Sequence, residues 1–225
     1  MKPRQFVFEL LPAPVPTLEN FVPGRNGAAL AALRDALQED PVGQRPQFLH
    51  LWGEPGSGRS HLLRAMAGSQ SGSALPINVV PEFGPERKLY VVDDVHALDG
   101  DGQAALFRLQ NEVRNRAGTL LLTAADLPPA QLVLREDVRT RLAWGLVFPL
   151  HRIAEDEQAA ALEAYARARG ARVDGELIPF MLTRLPRNMS TLVAVLDALD
   201  AFALSRHRDL TVPLLRQWLL ERTPE

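Results

Sequence analysis

Residues 53–60 read GEPGSGRS, and no other stretch constrains the fold of this chain as strongly. Its glycines let successive backbone N–H groups converge on one point, where a helix starting at the end of the loop presents its positive N-terminus. That geometry needs a buried strand before the loop and a helix after it. The flanks supply both: QFLHLWG at 47–53 reads as an apolar strand ending at Gly53, and SHLLRAMAG at 60–68 reads as a helix with Gly68 as its C-terminal glycine. The loop departs by one residue from the phosphate-binding pattern G-x-x-x-x-G-K-[ST], because Arg59 stands where a lysine would reach the β- and γ-phosphates. Taken alone, it is either that loop or a glycine-rich strand-to-helix turn.

The neighbouring segments favour the phosphate loop. KLYVVDDVHAL at 88–98 is a short apolar strand that ends in two carboxylates, Asp93 and Asp94. A phosphate loop wants an aspartate on a neighbouring strand end to hold Mg²⁺ together with the loop hydroxyl, and Asp93 with Ser60 form that pair. Asp94 beside it is either a water-orienting acid or a solvated strand-end carboxylate. AALAALRDALQ at 28–38 spaces Leu30, Leu33 and Leu37 as a helix, which Pro41 stops. Helical GQAALFRLQNEVRNRAG (102–118), apolar TLLLTAAD (119–126) and the helix-to-strand run REDVRTRLAWGLVFPL (135–150) continue the alternation. The fold class is therefore α/β, a parallel sheet flanked by helices. After residue 150 only helices follow, at 155–170 ending on Gly170, around 176–184, at 190–204 and from Thr211, forming a small all-helical subdomain. The predicted organisation is an extended tail over 1–16, where Pro12, Pro14 and Pro16 deny backbone donors, an α/β subdomain over 17–150, and a helical subdomain over 151–225.

Composition excludes several classes. The chain has 225 residues, 46% of them hydrophobic, which is enough for a sizeable core. A formal charge of −2 gives no bulk attraction to nucleic acid. With no cysteine there is no disulfide framework or thiolate metal site, and the five histidines are scattered without metal spacing. No leader pattern and no run approaching about 18 apolar residues is present, so the predicted location is cytoplasmic, with no membrane partner. The guanidinium of Arg59 is permanently charged and bidentate, so nucleotide binding survives the change from lysine more readily than catalysis does. Arg139 and Arg141 are either helix-surface charges or residues that reach a neighbouring subunit's γ-phosphate.

These motifs carry a family resemblance over residues 17–222. TLENFVPGRNGAALAAL at 17–33 resembles the entry segment of DnaA-type AAA+ initiator ATPases, and VVDDVHAL and RTRLAWGL resemble their acidic motif and arginine-finger segment. Within that family the chain is similar to short homologues that lack the DNA-binding domain and inactivate the initiator, a group that also carries GRS in its loop. The resemblance implies an AAA+ P-loop sheet with a helical lid. It implies a phosphate site of Gly53, Gly56, Ser57, Gly58, Arg59, Ser60 and His61, with Phe21 and Val22 near the base and Asp126 as polar sensor. It further implies bound ADP or ATP with Mg²⁺ on Ser60 and Asp93, and Arg141, with Arg139 the weaker candidate, as an arginine finger offered in trans.

The same resemblance reads QFVFEL at 5–10 as a peptide for the sliding clamp (the β subunit of DNA polymerase III), anchored by Gln5, Phe6, Phe8 and Leu10; the alternative is an edge strand on the chain's own sheet. Two departures stand out. Ser190 occupies the lid position of the family's nucleotide-sensing arginine, with Arg187 just before Asn188, the expected helix N-cap. Residues 69–88 are short for the family, which predicts a reduced sheet-edge element. The implied function is negative regulation of replication initiation: clamp-bound and nucleotide-loaded, the chain stimulates hydrolysis of DnaA-bound ATP, meets DNA through the loaded clamp in the bacterial nucleoid, and has homo-oligomers open to it. The alternatives are a self-contained ATPase resembling a helicase loader, with Asp94 as its catalytic acid, and an adaptor without nucleotide.

Overall fold

A computed structural model describes residues 15–38, 48–71, 79–84, 86–186, 188–206 and 208–222. The tail with Gln5, Phe6, Phe8 and Leu10, the stop at Pro41, and Arg187 lie outside the described residues. Contacts divide the chain into two units, one over Pro16–Ile153 and one containing Ala154–Glu225.

In the first unit, α1 (Gly27–Leu37), β1 (Phe48–Trp52), α2 (Arg59–Ser71), β2 (Leu89–Val92), α3 (Gly100–Arg114), β3 (Leu120–Ala125), α4 (Glu136–Arg141) and β4 (Leu146–Pro149) follow one another. The strands are all parallel, in the order β2-β3-β1-β4, with Leu51 opposite Ala124 and Phe148, and Val91 opposite Leu122. Parallel strands covered on both faces read as unbroken apolar runs rather than alternations. β2 and β3 obey this, being buried at every residue. Side chains then alternate between faces. Leu49, Leu51, Val91, Leu122 and Ala124 join a core with Leu30 and Leu33 of α1 and Leu62, Leu63 and Met66 of α2. Phe48, Tyr90, Val92, Leu121 and Ala125 join another with Leu106, Leu109 and Val113 of α3 and Val138 of α4. Each fully buried leucine in these layers contributes about 2 kcal/mol.

Two local expectations are corrected. Gly68 does not end its helix; α2 runs on to Ser71, because one glycine inside a helix costs only about 1 kcal/mol. α3 begins at Gly100, two residues before the expected start, since the side chain of Asp99 accepts the N–H of Gly102 at 2.8 Å and caps it there. Between α2 and β2, the described residues contain no additional strand.

The second unit consists of α5 (Gln158–Ala168), α6 (Leu177–Arg184), α7 (Met189–Arg206) and α8 (Val212–Arg222). Leu162, Leu177, Met181, Leu192, Val195, Leu199, Leu214 and Leu215 are buried within it. Asn188 caps α7 by accepting the N–H of Thr191 at 2.7 Å. One polar cluster ties helices together: Tyr165 donates to both oxygens of Asp197 at 3.0 Å, and Arg169 lies 3.4 Å from the same carboxylate.

Candidate functional site

The loop after β1 is fastened to the sheet before it turns. Gly53 N–H donates to Ala125 O at 3.2 Å, so the ladder from β1 to β3 continues one residue past the strand. Gly56 and Gly58 then adopt φ of +86° and +95°, the left-handed region that L side chains rarely enter. At Gly58 a second restriction applies, because an added Cβ would lie 2.6 Å from Cε2 of Phe21. Phe21, buried like Val22, therefore roofs the loop, with its ring 5.6 Å from that of His61. His61 is fixed from its other side: Nε2 faces the carbonyl of Thr17 at 3.0 Å, and a carbonyl only accepts, so Nε2 carries the proton. Burial depresses its pKa and keeps the ring neutral. The entry segment is thus part of the loop's wall.

Arg59 opens α2 with 8% of its surface exposed. Its Nη2 lies 3.6 Å from Oδ1 of Asp94, whereas its Nη1 is buried without a hydrogen-bond partner, as is the hydroxyl of Ser57. A buried guanidinium edge without an acceptor is costly, and an anion entering the loop would supply one. Ser60 Oγ donates to Asp93 Oδ2 at 2.5 Å, and the N–H of Asp94 donates to Asp93 Oδ1 at 2.9 Å. Both oxygens of this nearly inaccessible carboxylate are therefore engaged. The next residue absorbs the turn: Asp94 has φ +47°, the one described residue other than glycine with positive φ. A short 3-10 turn at Val95–Ala97 then brings His96 to Asp126, with Nδ1 and Oδ1 3.5 Å apart.

This set fits an anionic ligand accompanied by a hard cation. Unpartnered donors point to phosphate, and a hydroxyl with a carboxylate suits Mg²⁺, which takes one or two protein oxygens and completes its shell with water and phosphate. Among the described residues no group of three or more His, Asp or Glu could hold a metal by itself. Ser60 and Asp93 would hold the ion, and Arg59, the loop N–H groups and Ser57 the phosphates.

Behind the loop, His50 of β1 is 1% exposed, and its Nδ1 shares a 2.8 Å hydrogen bond with Thr123 Oγ1. Burial first, and the charge of Arg59 second, lower its pKa from 6.5 to about 4. No motif pointed to this histidine; an isolated polar residue in an apolar strand was its only signal.

Arg141 is built differently. Its Nη1 donates to Asn111 Oδ1 at 2.5 Å, and its guanidinium carbon lies 3.9 Å from the ring centre of Phe107 and 4.7 Å from that of Trp144. Arg114 sits 4.7 Å from the same Trp144 ring, which meets Phe48 edge-on. The candidate finger thus lies in a pocket made by α3 and the turn after α4. Its partners on α3 were not apparent from sequence because they lie about thirty residues before it. Ser190, in the other unit, donates to Asn188 Oδ1 at 2.9 Å as part of the helix cap.

Comparison with known proteins places this geometry. Residues 155–219 match the family model described as the Hda lid domain. Domain III of the Thermotoga maritima replication initiation protein DnaA is similar with a TM-score of 0.55 and 20% identity, covering 94% of this chain and 98% of that one. AMPPCP-bound DnaA from Aquifex aeolicus gives 0.59 and 17%, covering 80% of this chain and 64% of that one. A point variant of Thermotoga maritima RuvB gives 0.52 and 14%, covering 95% and 72%. At these identities the structures establish the fold, and the lid match concerns residues 155–219. No described helix is long and apolar enough to cross a membrane. Residues 155–219 are similar to the Hda lid domain, and the chain shares its fold, a parallel sheet flanked by helices with a helical unit after it, with domain III of DnaA.

Proposed function

We propose that this protein is a nucleotide-loaded negative regulator of replication initiation, which rides on the sliding clamp and stimulates hydrolysis of ATP held by DnaA. The observation that carries the reading is the Hda-type lid at 155–219 joined to a DnaA-like α/β unit. The AMPPCP-bound relative supports an adenine nucleotide as the ligand. In this reading Arg59, Ser57 and the loop amides keep a nucleotide, with Mg²⁺ on Ser60 and Asp93, and the bound ligand stabilises the competent fold by mass action. Arg141 leaves Asn111, Phe107 and Trp144 to reach the γ-phosphate in DnaA, where an arginine supplied in trans is worth roughly 10³ to 10⁵ in rate. Gln5, Phe6, Phe8 and Leu10 insert into the clamp, which brings the protein to DNA.

The test is hydrolysis of DnaA-bound ATP with DNA-loaded clamp, comparing the intact protein with Arg141→Ala and with a chain lacking the first ten residues. Acceleration by the intact protein and failure by both folded variants is expected. An intact protein that leaves DnaA unaffected but hydrolyses ATP itself would overturn the reading in favour of a self-contained ATPase.

A further inference from the structure

We infer that Arg152, on the segment that leaves the sheet after β4, is a further anion-binding residue of the loop site, adding its guanidinium to that of Arg59 around a bound polyphosphate. The inference rests on the reading of the loop as a nucleotide site. The strand ends carry the carboxylates of Asp93, Asp94 and Asp126. Against them the loop itself supplies one guanidinium, Arg59, whose Nη2 already faces Asp94 at 3.6 Å. A polyphosphate brings further negative charge to this end of the sheet, so a second cation beside the loop strengthens its hold beyond what Mg²⁺ offsets.

Backbone contacts on both sides bring Arg152 to the loop. Leu150 N–H donates to Trp52 O at 2.6 Å, and a Cβ at Gly53 would lie 2.3 Å from Leu150 O, so the first glycine of the loop packs directly on this segment. Asn26 holds both backbone groups of His151: its Nδ2 donates to His151 O at 2.8 Å, and its Oδ1 accepts His151 N–H at 2.7 Å. Gly24 packs on Ile153, whose Cγ1 is 3.2 Å from where a Cβ on that glycine would stand. From this fixed backbone the Arg152 side chain lies against the turn of the loop, with Cδ and Nε both 3.8 Å from the place of a Cβ on Gly56. Arg152 and Gly56 are both exposed, and among the described residues no carboxylate or carbonyl partners the guanidinium. Its charge is therefore uncommitted, and it lies beside the loop whose N–H groups would hold phosphate.

Arg152→Gln and Arg152→Lys test this, with thermal melts of the ligand-free proteins to show that the fold is kept. Calorimetry measures binding of ADP with Mg²⁺ to the intact protein and to each variant, in low salt and in about 1 M salt, where the screening length falls to about 3 Å. In low salt Arg152→Gln should bind ADP about fivefold more weakly, while Arg152→Lys keeps most of the affinity, because an exposed cation acts mainly through its charge. In high salt the gap between Arg152→Gln and the intact protein should close. A loss that salt does not reduce and lysine does not restore would overturn the inference, leaving Arg152 a packing role against Gly56. Equal affinity of the intact protein and Arg152→Gln in low salt would overturn it as well, with the nucleotide site still standing. Failure of the intact protein to bind ADP at all would overturn both the inference and the reading of the loop.

Discussion

Two arginines of the α/β unit show how differently one side chain is accommodated. Arg59 is nearly inaccessible and leaves one amino group without an acceptor, whereas Arg141, partly exposed, has an amide oxygen and two aromatic faces as partners. A desolvated donor without a partner raises the free energy of the ligand-free fold, so an acceptor arriving at Arg59 would lower it. Arg141 is satisfied as it stands, and any contact it makes in a partner must replace Asn111, Phe107 and Trp144. The loop end of the sheet thus keeps an unpartnered donor at Arg59, and the α3–α4 end holds its arginine between partners.

Replacing each arginine by methionine is the most direct attempt to break this contrast. Arg59→Met should weaken ADP binding at least a hundredfold, about 3 kcal/mol or more, while the ligand-free protein melts at or above the temperature of the parent. Calorimetry and ligand-free melts read the two effects separately, and a lower ligand-free melting temperature would remove the contrast.

His50 sharpens the same picture from behind the loop. Its imidazole stays neutral in the fold down to about pH 4, whereas the unfolded ring takes up its proton near pH 6.5. Stability contributed by the neutral ring is therefore full above pH 6.5 and is lost as pH falls from 6.5 to 4, by on the order of 3 kcal/mol. His61, also kept neutral by burial, adds to the loss in the same direction. Denaturant titrations at pH 7 and 4.5 should show a smaller loss in His50→Gln than in the parent.

Next in size, Gly58→Ala should cost about 2 kcal/mol, because a side chain would meet both the left-handed backbone and the ring of Phe21. Made in a Phe21→Ala background, which lacks the ring but keeps the strain, the same Gly58→Ala change should cost only part of that amount in chemical denaturation. A smaller effect belongs to Arg141→Met, about 1 kcal/mol of ligand-free stability lost with ADP affinity unchanged. Arg139→Met, half-buried and outside the aromatic pocket, should change stability less.

Much of the site was legible because it is local. GEPGSGRS carries its strand, turn and helix in eight residues and their flanks, and the pairing of Ser60 with Asp93 follows from a hydroxyl and a carboxylate at the ends of neighbouring elements. The helix ends were read less well. Gly68 looks like a stop, yet neighbouring Leu62, Leu63 and Met66 pack into the core, and that burial carries α2 three residues further.

By itself the sequence determined the alternation of buried strands and helices, the glycines that make the loop possible, the acidic strand end, and the change to an all-helical unit. These depend on period, propensity and residue type over short spans. Tertiary structure alone decided that Phe21 roofs Gly58, that Asp94 turns toward Arg59, that Thr123 holds His50, and that Asn111 and Phe107 hold Arg141. Each of those contacts joins residues about thirty or more positions apart. Their geometry comes from the register of parallel strands and the helices packed on them, which no local window of residues contains.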